Sequence, residues 1–317
     1  MKASGIGGQA VMEGVMMKNR EMYAVSVRKP DGEIETKIEK FTGIAGKVGT
    51  IAKVPFIRGV FNFIDSLSLG MQTLTWSSEF FVDEEETEKM KAMSEAELAK
   101  AKKKEDAIMA VTMVFSFVLA IGLFMVLPYL LSDLMKNYIQ SYTLRLILEG
   151  CIRIGIFVAY VGLISLLEDI KRLYRYHGAE HKCINCVESG LPLTVENVRK
   201  SSKEHKRCGT SFLLFVMIVG IVLMFFVRVE SKLMRILVRI ALLPVIAGIS
   251  YEIIRLAGRS NNPIVCLLSK PGLWLQRLTT KEPDDSMIEV AIASVEAVFD
   301  WKAFLKENFG TEGSREE

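Results

Sequence analysis

Two of the three histidines in this 317-residue chain lie four residues apart in the stretch YHGAEHKCINCVE, residues 176–188. On an α-helix that spacing places His177 and His181 on one face, where two imidazoles can bind a single zinc ion. Glu180 lies between them and completes the pattern HxxEH. In one class of zinc peptidases the glutamate of this pattern acts as general base on metal-bound water. The stretch therefore predicts a metal site with Glu180 as its catalytic residue.

The remaining candidate ligands come at the end of the same segment. His205 is the third histidine, and Cys208 follows it in the sequence HKRC. A catalytic zinc has three protein ligands and a water, which predicts His177, His181 and either His205 or Cys208. A structural zinc would have all four coordination positions filled by the protein. We expect the cofactor to be zinc or another divalent metal.

Two further cysteines and two glutamates leave alternatives open. Cys183 and Cys186 form a CxxC pair, a common zinc-binding or redox element, although the sequence contains no second CxxC. In an interpretation without metal, the histidines form hydrogen bonds to carboxylates such as Glu180 and Glu188. The histidine segment would then be held over its neighbouring helices by these bonds alone.

The composition indicates which class of protein positions these residues. Half of the residues are hydrophobic and the mean hydropathy is +0.28, yet 24% are charged, so apolar and charged segments must alternate along the chain. This is typical of a polytopic membrane protein with sizeable aqueous parts. The start of the chain does not resemble a cleaved leader, because Glu13 interrupts it. Five cysteines argue against a disulfide scaffold, and a net charge of +3 does not indicate nucleic acid as a partner.

Four apolar segments are candidates for crossing the membrane. Residues 107–132 and 211–227 contain no charged residue, and a helix needs about 20 apolar residues to cross about 30 Å of hydrocarbon. Residues 154–167 and 240–251 are shorter and are preceded by charged but helix-compatible sequence. We predict a mainly α-helical fold with about four transmembrane helices in two hairpins.

Charged residues precede the two shorter segments at four-residue spacing. They are Arg145, Glu149 and Arg153 in the first case and Arg235 and Arg239 in the second. A stripe of this kind should face protein or water rather than lipid, because unpaired charge in the hydrocarbon region is costly. The alternative is that these side chains reach to the membrane edge.

Lysine and arginine counts predict the orientation of the spans. These residues are abundant before the first span and around residues 171–209, whereas residues 132–143 contain only Lys136. Because cytoplasmic loops carry the excess of Lys and Arg, both termini and the histidine segment should be cytoplasmic. The lipid bilayer is the first expected partner.

The remaining segments predict smaller elements. Residues 22–41 alternate around Pro-Asp-Gly and predict a β-hairpin, while residues 54–81 favour amphipathic helices on the membrane surface over a spanning hairpin. A second amphipathic helix is predicted at residues 288–305. The predicted division is an N-terminal Gly-rich segment and β-hairpin (1–43), surface helices (44–82), a charged helix-prone linker (83–106), a membrane domain (107–260) with the histidine loop (171–209), and a cytoplasmic C-terminal helix and tail (261–317).

Five sequence blocks carry a resemblance to a known family. They are GGQAVMEGVMMK (7–18), PFIRG (55–59), YHGAEHK (176–182), LTVENV (193–198) and RCGTSF (207–212). With these blocks the chain resembles, over nearly its whole length, the YqhQ-like bacterial integral membrane proteins, a family of unknown function usually labelled as predicted metal-dependent enzymes. The resemblance implies the bacterial cytoplasmic membrane as the location and a site of His177, Glu180, His181, His205 and Cys208. The pattern does not require Cys183 or Cys186, so we exclude both from the site.

The first of these blocks is not explained by zinc chemistry. Its lone carboxylate, Glu13, would be either an additional metal ligand or part of a glycine-turned segment that enters the hairpin. Its methionines would suit a partner-binding surface.

Three function classes remain for the chain. The leading hypothesis is a membrane metalloprotein with a cytoplasmic-facing site, a zinc-dependent hydrolase in which Glu180 accepts a proton from metal-bound water. The alternative is a non-enzymatic biogenesis or assembly factor that binds a larger membrane complex such as a translocon, and a transporter is the third. An enzyme requires an open coordination position beside a cavity, whereas a scaffold requires an exposed apolar patch and a closed or absent metal site.

Overall fold

The computed structural model describes residues 2–81, 94–227, 229, 231–260 and 262–310. Of the predicted charged linker, residues 94–106 lie within this range, and 95–106 are helical as expected. The rest of the linker, and the predicted tail after Gly310, lie outside the described residues.

The chain forms two compact units. Unit 1 comprises Met1–Phe80, Tyr160–Val219 and Leu242–Glu317, and unit 2 comprises Phe81–Ala159 and Gly220–Ala241. Unit 1 therefore combines the N-terminal segment, the histidine segment and the C-terminal segment. The helices in chain order are α1 (Ile44–Val48), α2 (Ile57–Ser78), α3 (Glu95–Ile121), α4 (Leu127–Leu134), α5 (Tyr142–Ile164), α6 (Glu168–Glu188), α7 (Val195–Lys200), α8 (Gly209–Met224), α9 (Lys232–Ala241), α10 (Leu243–Ala257), α11 (Pro263–Thr279), α12 (Asp285–Val298) and α13 (Trp301–Phe309).

A four-stranded antiparallel sheet begins unit 1. Its strands β1 (Gly7–Val11), β2 (Gly14–Asn19), β3 (Met22–Arg28) and β4 (Ile34–Lys40) pair in sequence order. The predicted hairpin is β3–β4, and its turn uses Gly32 at a positive φ of 90°. The glycine- and methionine-rich block 7–18, which was not predicted as strand, forms β1 and β2. Four consecutive residues of β2 are buried, so the alternation that normally reveals a strand is missing there.

Helix α6 is the central helix of the unit 1 core. From residue 178 to its end at Glu188 every residue is buried, and this half packs against β1, β2, α7 and α12. The helix predicted at His177 and His181 is confirmed, whereas the loop predicted after them is wrong for residues 183–188, because the same helix continues to Glu188. Polar side chains on a buried helix need hydrogen-bond partners within the protein. The polar side chains of α6 build the site described below.

The C-terminal amphipathic pattern corresponds to two helices rather than one. The backbone leaves the helical conformation at Phe299, and Asp300 then caps α13 by accepting a hydrogen bond from the Ala303 amide at 2.8 Å. The apolar face of α12, with Ile288 and Val295 fully buried, packs on α6 and on the sheet. Its amphipathic pattern therefore serves the protein core. Helix α11 was not predicted.

Helix α2 has the amphipathic character that was predicted for residues 54–81. It is 22 residues long, buries Gly59, Asp65, Leu69 and two further positions, and packs against α10. By length and composition it is not among the candidate membrane spans.

Among the described residues, two helical stretches are long and apolar enough to cross a membrane, so the predicted count of four is not confirmed. They are Lys103–Asn137, which includes a π-helical segment at Gly122–Val126, and Tyr142–Ile164. The pair Leu233–Ala241 and Leu243–Ala257 makes a third if it is counted as one span. Helix α8 has only 16 residues, which at about 1.5 Å per residue is shorter than the hydrocarbon core.

The predicted stripe of charges on α5 faces protein within unit 2. Glu149 and Arg153 are buried and Arg145 is half-buried, which confirms the prediction for the first two. The Glu149 carboxylate accepts hydrogen bonds from Arg153 at 2.8 Å and from Arg239 of α9 at 2.7 Å. The Arg239 guanidinium also lies 4.9 Å from the centre of the Tyr129 ring. One carboxylate thus compensates two buried cations.

We expect Glu149→Gln to destabilise unit 2 by about 3–5 kcal/mol, because it leaves two buried guanidinium groups without their counter-charge. The measurement is the thermal unfolding midpoint of the detergent-solubilised protein. Glu168→Gln is the matched control, because Glu168 is exposed and its ion-pair partner, within the described part of the chain, is Lys171 on the next turn of α6. An unfolding midpoint for Glu149→Gln equal to that of the control would contradict the prediction.

Candidate metal centre

The two histidines of HxxEH project from the middle of a regular α6. Gly178 between them does not break the helix. A Cβ atom at this position would overlap the carbonyl oxygen of Lys281, so the glycine allows the chain after α11 to approach the helix closely. The Lys281 amide also donates to the Tyr174 carbonyl at 2.9 Å. The glycine is therefore a packing requirement of the site.

Three of the predicted residues converge on one point. The ligand atoms of His177, His181 and Cys208 all lie within 4.8 Å of one another, a separation that allows them to hold a metal ion. The Cys208 Sγ atom lies 3.3 Å from His177 Nε2, and the two imidazole rings are 4.4 Å apart between centroids. Among the described residues this is the only such group of His, Cys, Asp and Glu side chains.

Backbone carbonyls determine which nitrogen each histidine presents. His177 Nδ1 lies 2.9 Å from the Thr279 carbonyl oxygen, and His181 Nδ1 lies 2.7 Å from that of Lys203. Because a carbonyl oxygen can only accept, each Nδ1 carries a proton, so Nε2 is the nitrogen that each imidazole, when neutral, can present to a metal. Metal-binding histidines are usually oriented by an outer hydrogen bond of this kind.

Hydrogen bonds from side chains of α6 to backbone carbonyl groups of residues 199–204 hold the chain between α7 and α8 to this helix. Lys182 donates to the carbonyls of residues 199 and 201, each at 2.9 Å. Asn185 donates to those of residues 202 and 204, at 2.6 and 2.9 Å. Together with His181 these side chains bring Cys208 back beside the helix. Lys182 and Asn185 were missed in the sequence, although polar residues at 181, 182 and 185 interleaved with apolar ones at 183, 184, 186 and 187 were a usable signal.

The Cys208 thiol lies in an environment that favours the thiolate. Burial raises its pKa, but the adjacent imidazoles of His177 and His181 outweigh burial and hold the pKa well below the ordinary value. The Thr210 amide donates to the Cys208 sulfur at 3.4 Å. Helix α8 begins at Gly209, directly after Cys208. Burial lowers the pKa of His177, but Cys208 and Glu180 raise it to about 9.

His205 lies close to the three converging residues and is engaged elsewhere. Its ring centroid is 5.6 Å from that of His181, and its Nε2 lies 3.7 Å from the Glu188 carboxylate. Glu188 also accepts hydrogen bonds from Arg207 and from the Ser4 amide. Burial raises the pKa of Glu188, but His205 and Arg207 outweigh burial and lower it to about 2. The sequence predicted either His205 or Cys208 as the third member of the group. The structure brings Cys208, and not His205, together with His177 and His181.

Glu180 lies next to the cluster. It is buried, and its Oε2 atom is 3.9 Å from His177 Nε2. Glu13, the other candidate carboxylate, lies at the turn between β1 and β2 and accepts hydrogen bonds from Arg172 and from the Tyr176 hydroxyl. It belongs to the packing of the sheet on α6.

Cys183 and Cys186 are not part of the converging group. Both are free thiols buried in the hydrophobic core. Burial raises the pKa of Cys186 to about 11 and that of Cys183 well above its ordinary value. These surroundings stabilise neutral thiols, whereas a metal ligand must be a thiolate.

Two cavities in unit 1 reach the cluster and share part of their lining. One has a volume of about 500 Å³ and is lined by Glu180, His181, His205, Lys18 and Arg20 among others. The other, of about 600 Å³, is lined mainly by apolar side chains. His177 and Cys208 line both. Cavities of this size are typical of small-molecule sites.

The fold and the site define a class: a mainly helical chain with an N-terminal antiparallel sheet, apolar helices of membrane-spanning length, and a buried His/His/Cys cluster that can bind a metal. The family model described as "Protein of unknown function (DUF1385)" matches residues 54–301. The chain belongs to this family, and the resemblance to the YqhQ-like proteins is confirmed. It is 37% identical over 310 residues to the uncharacterized protein YqhQ of Bacillus subtilis (strain 168), a match that covers 95% of this chain and 94% of the relative. No solved structure matches it.

Proposed function

We propose that the chain is an integral membrane metallohydrolase of the bacterial cytoplasmic membrane that holds zinc, or a similar divalent ion, on His177, His181 and Cys208. The observation that carries this proposal is the convergence of these three ligand atoms beside a cavity. Two imidazoles and one thiolate fit zinc in charge and softness. Three protein ligands leave one position open, as in catalytic rather than structural sites.

Zinc bound by these ligands would polarise a water or a substrate carbonyl. Glu180 is the carboxylate suited to proton transfer, because it is buried beside His177 and lines the same cavity. It would accept a proton from the attacking water and return it to the leaving alcohol or amine of an ester or amide. Thr279 and Lys203 would hold the two imidazoles in the ligand orientation through their carbonyl groups.

Location in the membrane is supported by α3 and α5. None of the most apolar window of Lys103–Asn137 is buried inside the protein, and its side chains, such as Val111 and Phe115, are exposed. Exposed side chains of this kind along a helix of spanning length are suited to lipid. The Lys and Arg distribution would place the histidines and both termini on the cytoplasmic side.

The test is metal analysis of the detergent-purified protein, followed by assays with ester and amide panels. We expect about one zinc per chain and hydrolysis that a chelator abolishes and added zinc restores. Hydrolysis that survives chelation but is abolished by thiol alkylation would instead indicate a Cys208–His177 nucleophile pair. Absence of both metal and hydrolysis would favour the assembly factor, with α3 as its docking surface for another membrane protein.

A further inference from the structure

The two cavities that reach the His177, His181 and Cys208 group differ in polarity. The larger is lined by Phe63 and Leu67 of α2, Phe212 and Leu213 of α8, and Ile254 of α10. Its rim is apolar and accessible, because Leu67 is 56% and Leu213 44% exposed. The opening between α2 and α8 is therefore suited to a hydrocarbon chain that enters from a lipid phase.

The smaller cavity has two basic side chains on its wall near the end of β2. Lys18 and Arg20 line it from the end of β2, and within the described part of the chain neither is in an ion pair. Lys18 is half-buried, and its ammonium lies 4.7 Å from the centre of the Phe41 ring. Burial lowers its pKa, although the charge of Asp65 opposes this. Both Asp65 oxygens already accept hydrogen bonds from the Ile44 and Ala45 amides.

The third cation on the wall of this cavity, Arg207, is already neutralised by its hydrogen bond to Glu188. Lys18 and Arg20 thus remain available to a negatively charged ligand. The cation on the half-buried Lys18 is the stronger reason for an anionic ligand, because a partly desolvated ammonium that contacts a ring face but has no ion-pair partner gains from one.

From these observations we propose that the site binds an anionic single-chain amphiphile of the membrane-lipid class, with its head group on Lys18 and Arg20 and its acyl or alkyl chain in the apolar cavity. This inference deepens the proposed hydrolase and rests on it for the reaction, since such a ligand would carry its head-to-chain linkage past His177 and Cys208, which line both cavities. Binding itself depends only on the two cavities and their charges.

The test uses dodecyl phosphate, with inorganic phosphate and the zwitterionic dodecylphosphocholine as comparison ligands. Native mass spectrometry of the full-length protein in a neutral detergent would count bound ligand and zinc in the same spectrum. We expect one dodecyl phosphate per chain, bound at least about tenfold more tightly than either comparison ligand. Inorganic phosphate lacks the hydrocarbon chain, and dodecylphosphocholine lacks the net negative charge.

Variants assign the selectivity to the residues named. Lys18→Ala with Arg20→Ala should weaken dodecyl phosphate about tenfold and leave dodecylphosphocholine unchanged, and Arg20→Ala alone, at an exposed position, should weaken it severalfold. Lys37→Ala with Lys40→Ala is the matched control, because it removes two charges of β4 that do not line the cavity. Leu67→Gln with Leu213→Gln should weaken both dodecyl ligands and not inorganic phosphate.

The inference is overturned if the Lys18 and Arg20 variants bind dodecyl phosphate as the wild type does, or if wild-type protein takes up all dodecyl ligands equally. The zinc count separates this result from failure of the proposed function. Selective dodecyl phosphate binding without zinc would uphold the lipid site and reject the metallohydrolase. Zinc without such binding would do the reverse.

Discussion

Cys208→Ser is expected to abolish zinc binding, with metal content falling from about one to less than about a tenth of an equivalent per chain. A serine hydroxyl does not ionise near neutral pH, so the only anionic ligand of the cluster is lost. The two imidazoles would remain on α6, but they cannot hold zinc firmly with water in both other positions. The measurement is inductively coupled plasma mass spectrometry of detergent-purified protein after removal of free metal.

Two control variants make this result specific. Cys186→Ser changes another buried thiol in the same unit that lies outside the cluster, and it should retain zinc. His205→Ala should also retain zinc, because His205 interacts with Glu188 rather than with the three converging ligands. Zinc that persists in Cys208→Ser but is lost in His205→Ala would show that the ligand set is His177, His181 and His205.

Glu180→Gln is expected to lower kcat by about 10²–10⁴-fold on any ester or amide that the wild-type protein hydrolyses, because the amide cannot accept the proton of the attacking water. Glutamine has nearly the same shape as glutamate, so the buried position beside Gly8 and His177 should be retained. The measurement is kcat at saturating substrate, together with the zinc content of each preparation.

Zinc content should stay at the wild-type level in this variant, which separates loss of the general base from loss of the metal. Glu168→Gln, at the exposed start of the same helix, is the matched control and should keep full activity. Unchanged hydrolysis by zinc-loaded Glu180→Gln would exclude Glu180 as the general base and leave the metal to act with another proton acceptor.

Local patterns were sufficient for several features of this protein. The HxxEH spacing predicted that His177 and His181 share a helix face, and they do. The Pro-Asp-Gly turn predicted the β3–β4 hairpin, and the four-residue spacing of Glu149 and Arg153 predicted that they share a stripe that faces protein. Each of these depends on residues close together in the chain, for which helix and strand periodicities apply directly.

Other features required the tertiary structure. The number of spans could not be read from apolar runs alone, because helix length depends on where each helix ends, at Met224 for α8 and before Leu242 for α9. The pairing of β1 with β2 could not be predicted, because both faces of β2 are buried and its sequence lacks the alternation of apolar and polar residues. The amphipathic face of α12 was visible in the sequence, but its partner, the sheet and α6, was not.

The sequence by itself predicted the candidate ligands, the helix face that presents two of them, and apolar segments of membrane-spanning length elsewhere in the chain. The tertiary structure decided that Cys208 rather than His205 completes the cluster, and that the carbonyls of Thr279 and Lys203 orient the histidines. The physical reason is distance along the chain. Thr279 is 102 residues from His177, and a backbone carbonyl is common to every residue type, so no sequence pattern records which one will be the acceptor.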